Sequence, residues 1–250
     1  MYKYSLPHFR AEHYRGIDAQ VLRTGSWRSV FIHQVAFGSE IFIDEVAKAF
    51  NQDPLQYRID QLKQNLIYPP LASKPKAKKQ LEKRAKRLIN LLNIAREKSG
   101  WGSKLPAGQG MGVAQYTYSS ECVHVAKVTV QNEELTIDKI TVVVDAGLVV
   151  NPSGLKAQIE GGIMWGLTPL LYGGITVENG RVKQSNFHDC KVVRLTQVPS
   201  IDIYLVDSKG YPTGIGETTV PTIAPAVINA IFAATGKRIR KLPVINDDLK

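Results

Sequence analysis

The residue best placed to do chemistry is a carboxylate, Glu217, in the run Tyr211-Pro-Thr-Gly214-Ile-Gly216-Glu217. An Ala- and Ile-rich, helix-like segment follows and ends at Gly236. Two roles fit this placement. A carboxylate ahead of a helix stabilises it through the backbone dipole, and one presented to a pocket serves as a general base. No second acid stands at a spacing that would make a glycosidase pair with it. The five histidines, His8, His13, His33, His124 and His188, are scattered. They compose no Ser/His/Asp or Cys/His arrangement, and each reads as structural. Cys122 and Cys190 lack the spacing of zinc or iron–sulfur ligands, and no disulfide framework is indicated. Gly214-Ile-Gly216-Glu217-Thr-Thr219 begins like a dinucleotide fingerprint, but Thr219 takes the place of the third glycine and no βαβ unit follows. Gly108-Gln109-Gly110 reads as a linker between a helix and a strand.

A second stretch runs from Asp145 to Gly162. A strand ends in a glycine turn, Asn151-Pro152 opens a helix, and the Gly161-Gly162 pair permits close backbone packing. Helix N-termini favour anions, and tight strand–turn–helix packing explains the same residues.

These segments need a scaffold, and its elements can be read from periodicity. Apolar residues at 42, 43, 46, 47 and 50 predict a helix over 34–50. Asp53-Pro54 starts a second helix that runs to about Asn65 and is ended by Pro69-Pro70. A third, Lys74 to Lys98, carries the stripe Leu81, Leu88, Leu91, Leu92 and Ala95. From Gly110 the period becomes two. Strands are expected over 112–120, 122–130 and 135–145, with a turn at 131–134. After the 151–171 helix, Asn179-Gly180 marks a hairpin between 174–178 and 181–184, and 200–206 is a last strand. Helices first, then mixed strands and helices, is an α+β pattern.

With 250 residues, 44% hydrophobic and 22% charged, the chain can bury a substantial core. Residues 1–24 read as an extension continuing from something upstream, and 25–250 as the folded domain. The net charge of +10 is concentrated between Lys74 and Arg96. The expected reading is the solvated outer face of a docked helix, with no nucleic-acid partner. No run reaches the ~20 apolar residues of a membrane span. The N-terminus lacks a secretory h-region, so cytoplasmic and periplasmic locations, the latter as part of an exported complex, both stay open.

Several segments together resemble a known family. The pattern D-x-G-x-V-V-N-P … Q-x-E-G-G, then S-N-F-x-D, then G-I-G-E … I-A-P-A-V-x-N-A-I-F-A-A-T-G-K-R-I-R-x-L-P is similar to the C-terminal, second molybdopterin-binding part of the molybdenum hydroxylase large subunit. Within this xanthine dehydrogenase/aldehyde oxidase group it most resembles the isoquinoline 1-oxidoreductase beta subunit and related aldehyde dehydrogenases. Gly25-Ser26-Trp27-Arg28-Ser29-Val30 matches further upstream, and the likeness covers about residues 20–248.

The resemblance implies a molybdopterin cofactor with molybdenum, in its cytosine dinucleotide form, and iron–sulfur clusters on a partner subunit. The implied reaction hydroxylates an N-heterocycle or oxidises an aldehyde, with Glu217 as base toward the metal-bound hydroxide. Trp27, Arg28, Ser29 and Val30 would lie against the cofactor, and Gly214 and Gly216 would let the backbone approach it. The family usually has proline after the glutamate, where this chain has Thr218. The upstream half, with its own pterin contacts, is a further implied partner. The alternative is a non-catalytic remnant or assembly piece that does not bind cofactor alone.

Overall fold

The structure is a computed structural model that describes residues 4, 12, 25–67 and 75–249. The expected 1–24 extension and the Pro69-Pro70 stop, Tyr4 and Glu12 apart, lie outside the described residues. Three helices come first, α1 (Ile32–Ala49), α2 (Pro54–Ile67) and α3 (Pro75–Ser99). The strands β1 (Gln109–Thr117), β2 (Glu121–Gln131) and β3 (Glu134–Asp145) follow, then α4 (Pro152–Tyr172). A short hairpin, β4 (Val177–Glu178) and β5 (Arg181–Val182), precedes β6 (Ser200–Leu205) and α5 (Val220–Thr235). The fold is α+β, as the pattern predicts.

β1, β2 and β3 form an antiparallel meander, and β6 adds parallel to β3 in register Thr141 to Asp202, with α4 in the crossover. Helices cover both faces, so consecutive strand residues enter different cores. Cys122, Ala126, Val142 and Val144 point toward α4 and α5, whereas Val123, Val125 and Val143 point toward α2 and α3. Turn chemistry sets the ends. Asn132 and Glu133 both take positive φ, as do Asn179 and Gly180 in the second hairpin, the geometry that matches strand twist. The Asp53 carboxylate accepts the Gln56 N–H at 2.7 Å, and the Asn151 side chain accepts the Gly154 N–H at 2.9 Å. Gly236, left-handed at φ 76°, closes α5.

Three expectations need correction. Gln109 and Gly110 are not linker; they open β1, because α5 lies directly on that strand. A Cβ on Gly110 would stand 2.3 Å from the Ala230 carbonyl oxygen, and one on Gly112 would stand 2.1 Å from the Ala230 nitrogen. On α1 the apolar stripe is displaced: Phe42 and Phe50 are exposed, and the buried residues are Ala36, Glu40, Ile41, Ile43, Asp44 and Ala47. Its two acids point inward because Arg58 of α2 is buried against them. The Arg58 Nε donates to Glu40 Oε2 at 2.9 Å, and Arg238 donates to Asp44 at 2.9 Å. Burial pushes the Glu40 carboxyl up and Arg58 pulls it back, a balance that leaves it raised. On α3 the stripe begins only at Ala85; Leu81 is exposed, and Arg87 turns inward instead.

Among the described residues no helix is long and apolar enough to cross a membrane. The glycines give opposite predictions for one substitution. Gly112→Ala forces a methyl into the α5 backbone and should cost 3 kcal/mol or more, on the order of the worst overpacking. Gly38→Ala, on an α1 position whose added Cβ meets nothing within 4 Å, should stabilise by about 0.5–1 kcal/mol. Chemical denaturation of the two variants beside the parent chain checks both signs.

Candidate functional site

Glu217 sits at the junction of two segments 188 residues apart in the chain. One is the turn 27–31. Val30 donates its N–H to the Trp27 carbonyl at 2.7 Å, and Ile32 donates to Ser29 at 2.9 Å. This turn holds Ser29 at φ 79° and Val30 at φ 51°. A β-branched residue there is a genuine outlier, at a cost on the order of 1–3 kcal/mol per strained residue. What the strain achieves is visible at Ser29, which is fully buried. Its N–H donates to Glu217 Oε1 at 3.2 Å, and its Oγ donates to the Glu217 carbonyl at 2.7 Å. Beside it, Arg28 Nε donates to the Gly216 carbonyl, and Nη2 donates to the Gln158 side chain at 3.1 Å.

The other segment, 211–219, is held along its length despite Gly214 and Gly216. Thr213 donates its N–H to the Ala146 carbonyl at 2.9 Å. The Gly214 carbonyl accepts from Ser120 Oγ at 2.8 Å and from Thr218 Oγ1 at 3.1 Å. The Thr218 N–H also closes a turn onto the Ile215 carbonyl at 3.3 Å, a bond that proline at this position could not make. Upstream, Gly147 at φ 76° lets the β3–α4 turn run against Tyr211, where a Cβ would meet the Tyr211 carbonyl oxygen at 2.3 Å. Asp145 anchors that turn by accepting from Arg87 at 2.6 Å, Ser208 at 2.7 Å and the Gly147 N–H at 3.1 Å. Burial acts to raise its carboxyl, but these bonds outweigh it and hold the group below the usual range.

The structure therefore brings together Glu217, Gly216, Arg28 and Ser29, with Trp27 and Val30 on the exposed sides of the turn. Gly214 faces Ser119, at 3.4 Å from an added Cβ, whereas a Cβ on Gly216 would meet nothing within 4 Å. Of the Gly161-Gly162 pair only Gly162 is a packing glycine, with Thr219 Oγ1 at 2.0 Å from its added Cβ; Gly161 is open except for Arg28 at 3.8 Å. Sequence reading missed Tyr118, which follows the end of β1 and stands beside Glu217. Burial, then the neighbouring carboxylate, raise its phenol. Its signal was its place at the tip of the β1–β2 hairpin, where loops gather function. Beside the site, a cavity of about 220 Å³ lies between the start of α4 and the 212–215 loop, walled in part by Asn151, Gly154, Gln158 and Thr213. No group of three or more His, Cys, Asp or Glu that could hold a metal ion occurs among the described residues.

A family model described as a molybdopterin cofactor-binding domain matches residues 46–199. The chain belongs to the molybdopterin cofactor-binding domain family. This molybdopterin-binding domain is 32% identical over 250 residues to a protein of Gluconacetobacter polyoxogenes named membrane-bound aldehyde dehydrogenase (pyrroloquinoline-quinone), across 96% of this chain and 32% of that one. It is 31% identical over 225 residues to isoquinoline 1-oxidoreductase subunit beta of Brevundimonas diminuta, across 87% and 26%. The fold matches the aldehyde oxidoreductase of Desulfovibrio gigas with a TM-score of 0.61 at 16% identity, over 90% of this chain and 41% of that one. The chain thus spans about a third or less of the length of these two curated relatives. The resemblance to the xanthine dehydrogenase family holds. The family match stops short of both segments that meet at Glu217.

The donors at the site suit such a cofactor. Arg28, the Gln158 amide and the open Gly216 backbone offer hydrogen bonds and positive charge to an anionic organic group, and side-chain metal ligands are not needed to hold a metal that arrives inside it.

Behind the site, α5 is seated by a neutral histidine. His124 of β2 is fully buried, with Nδ1 2.7 Å from the Thr222 Oγ1 of α5. Burial pushes its imidazole down to about 3. A depressed histidine contributes stability that is present above the unfolded value, about 6.5, and is lost as pH falls toward the folded one. From pH 6.5 to 4.5 the parent chain should lose up to about 1.4 kcal/mol per pH unit from this group, and His124→Gln should flatten that slope. Urea denaturation at a series of pH values measures it.

Proposed function

We propose that this chain is the base-bearing part of a molybdenum hydroxylase, which oxidises an aldehyde or hydroxylates an N-heterocycle. One observation carries the reading. Glu217 is fixed by a strained backbone N–H beside a glycine whose open face nothing in the described chain covers. A strained turn that exists to orient one carboxylate is the signature of a functional group. The names of the two relatives, an aldehyde dehydrogenase and an isoquinoline oxidoreductase, support the two substrate classes.

In this reading Arg28, Gln158 and the bare backbone at Gly216 would hold the molybdopterin, of the cytosine dinucleotide form, with Trp27, Ser29, Val30 and Gly214 around it. The α4 N-terminus and its cavity would receive an anionic portion. When bound, the group supplies the metal and the redox couple that takes the substrate's electrons. Electrons would leave through iron–sulfur clusters on a partner subunit, and the upstream half of the large subunit would complete the site. The chain's own contribution is proton handling. Glu217 accepts the proton that a hydroxyl must lose to become a nucleophile. The Ser29 N–H, which donates to it, keeps the carboxylate aimed, and Tyr118 stands beside it. Arg28 fixes the preceding peptide, so the aim does not drift.

In the purified complex with its partner subunits, Glu217→Gln should lower kcat by about 10²–10⁴-fold with molybdenum per chain unchanged. Steady-state turnover and metal analysis measure the two quantities. Near-normal turnover sinks the base, and a parent complex without molybdenum sinks the cofactor reading.

A further inference from the structure

A second cavity, about 400 Å³ in volume, opens between α1, α4, α5 and residues 240–242. Its size falls in the range that takes a small organic molecule. Trp27 lines it, and the ring of Trp165, itself outside the lining, lies against Trp27 with centroids 5.1 Å apart and planes tilted by 34°. Both are large aromatics left 42% and 45% exposed. Ring faces left in water in this way make a stacking platform for a flat, apolar partner. Pro169 and Pro221 give the wall stiff, flat apolar surfaces, and Phe37 and Leu242 add to them.

Besides Gln34 and His33, the charged groups of the lining are of one sign. Arg240 and Lys241 contribute, and no Asp or Glu does. Arg240 donates to Glu45 at 2.7 Å, whereas Lys241 is exposed and has no acidic partner among the described residues. His33 also lines the cavity, and burial lowers its imidazole so that it stays neutral at pH 7.

We propose that this cavity binds a planar aromatic carboxylate, its ring stacked on Trp27, which Trp165 holds in place from behind, and its charge turned toward Lys241. The chemistry of the walls selects each half of that ligand. A flat ring removes the exposed indole faces from water, and an anion meets a lysine without competition from a lining acid. The cavity is built on the segments that hold Glu217. Trp27 precedes Arg28, whose guanidinium clamps the Gly216 carbonyl, and Val220 and Pro221 follow Glu217 by three and four positions. A ligand here therefore rests on the same turn and helix start as the base. The inference goes beyond the molybdopterin reading and does not depend on it.

The test is a tryptophan-fluorescence titration of the full chain with benzoate and 2-naphthoate, beside benzamide and benzylamine. A Trp101→Phe background removes the third tryptophan, which donates to Asp53 elsewhere in the fold. Saturable quenching is expected in the order carboxylate, amide, amine. Trp165→Ala should weaken carboxylate binding by about tenfold or more. Lys241→Ala should weaken it by about two- to fivefold and leave benzamide unaffected. Glu217→Gln should leave all of these affinities unchanged, which separates the outcome from that of the proposed base. Absence of saturation below about 10 mM, corresponding to binding weaker than ~3 kcal/mol, overturns the proposal. So does equal affinity for benzoate and benzylamine, or an unchanged affinity in Trp165→Ala whose circular dichroism matches the parent.

Discussion

The site depends first on how closely α5 lies on β1. The two backbones meet with no side chain between them, because Gly110 and Gly112 present bare Cα atoms to Ala230 and its neighbours. That contact sets the height of α5 above the sheet. Gly162 and Gly166 set it from the other side, where added Cβ atoms would meet Thr219 at 2.0 Å and Ile223 at 2.3 Å. Fixed between β1 and α4, the helix has one place to begin, and Glu217 lies three residues before that point. Interiors this dense transmit displacement, so a methyl added at Gly112 would be felt at the carboxylate.

Buried charge does the remaining positioning. Glu40 accepts from Tyr4 at 2.6 Å, from Arg58 at 2.9 Å and from the Gln115 N–H at 3.0 Å, and its carbonyl accepts from Asn229 of α5 at 3.2 Å. One acid thus joins α1, α2, β1 and α5. A buried network of this kind earns little net stability, but it tolerates few alternative arrangements. α1 is thereby locked in register against α5. The 27–31 turn leads straight into α1, so the register of that helix decides whether Ser29 reaches Glu217. The strain at Ser29 and Val30 can persist because both ends of the turn are held.

The sequence disclosed those parts of this design that are local. Asp53, Asn151, Gly236 and Asn179-Gly180 act within a few residues of themselves, and each does in the structure what its chemistry dictates. Period-two alternation located the meander, and Glu217 stood out by its setting. What stayed hidden depends on contacts across the chain. Gly110 looked like linker because its reason for being glycine lies 120 residues away in Ala230. Glu40 and Asp44 lie outside the apolar positions that mark α1, and an inward acid makes sense only once Arg58 is seen to face it. Tyr118 carries no motif at all. The bonds from Ser29 and Arg28 to residues 217 and 216 span 188 positions, beyond any periodicity argument.

The glycines separate into two groups, and the separation bears on what the site is for. At 110, 112, 147, 162 and 166 the missing side chain is accounted for inside the chain, because an added Cβ would come within 3 Å of another atom. At Gly216 it is not. The residue has ordinary backbone angles and open space where a side chain would go. Neither packing nor conformation within the described chain demands glycine there, and a glycine in a loop loses more entropy on folding than any substitute. The same holds for Gly161, bare apart from Arg28 at 3.8 Å. Both flank the Arg28 guanidinium, which donates to the Gly216 carbonyl and to Gln158. A cost of this kind is met when something outside the chain needs the backbone to come close. Gly25 and Gly38 are equally bare, so it is the placement of two such glycines beside a cation and a fixed carboxylate, not bareness alone, that fits a bound group on that face.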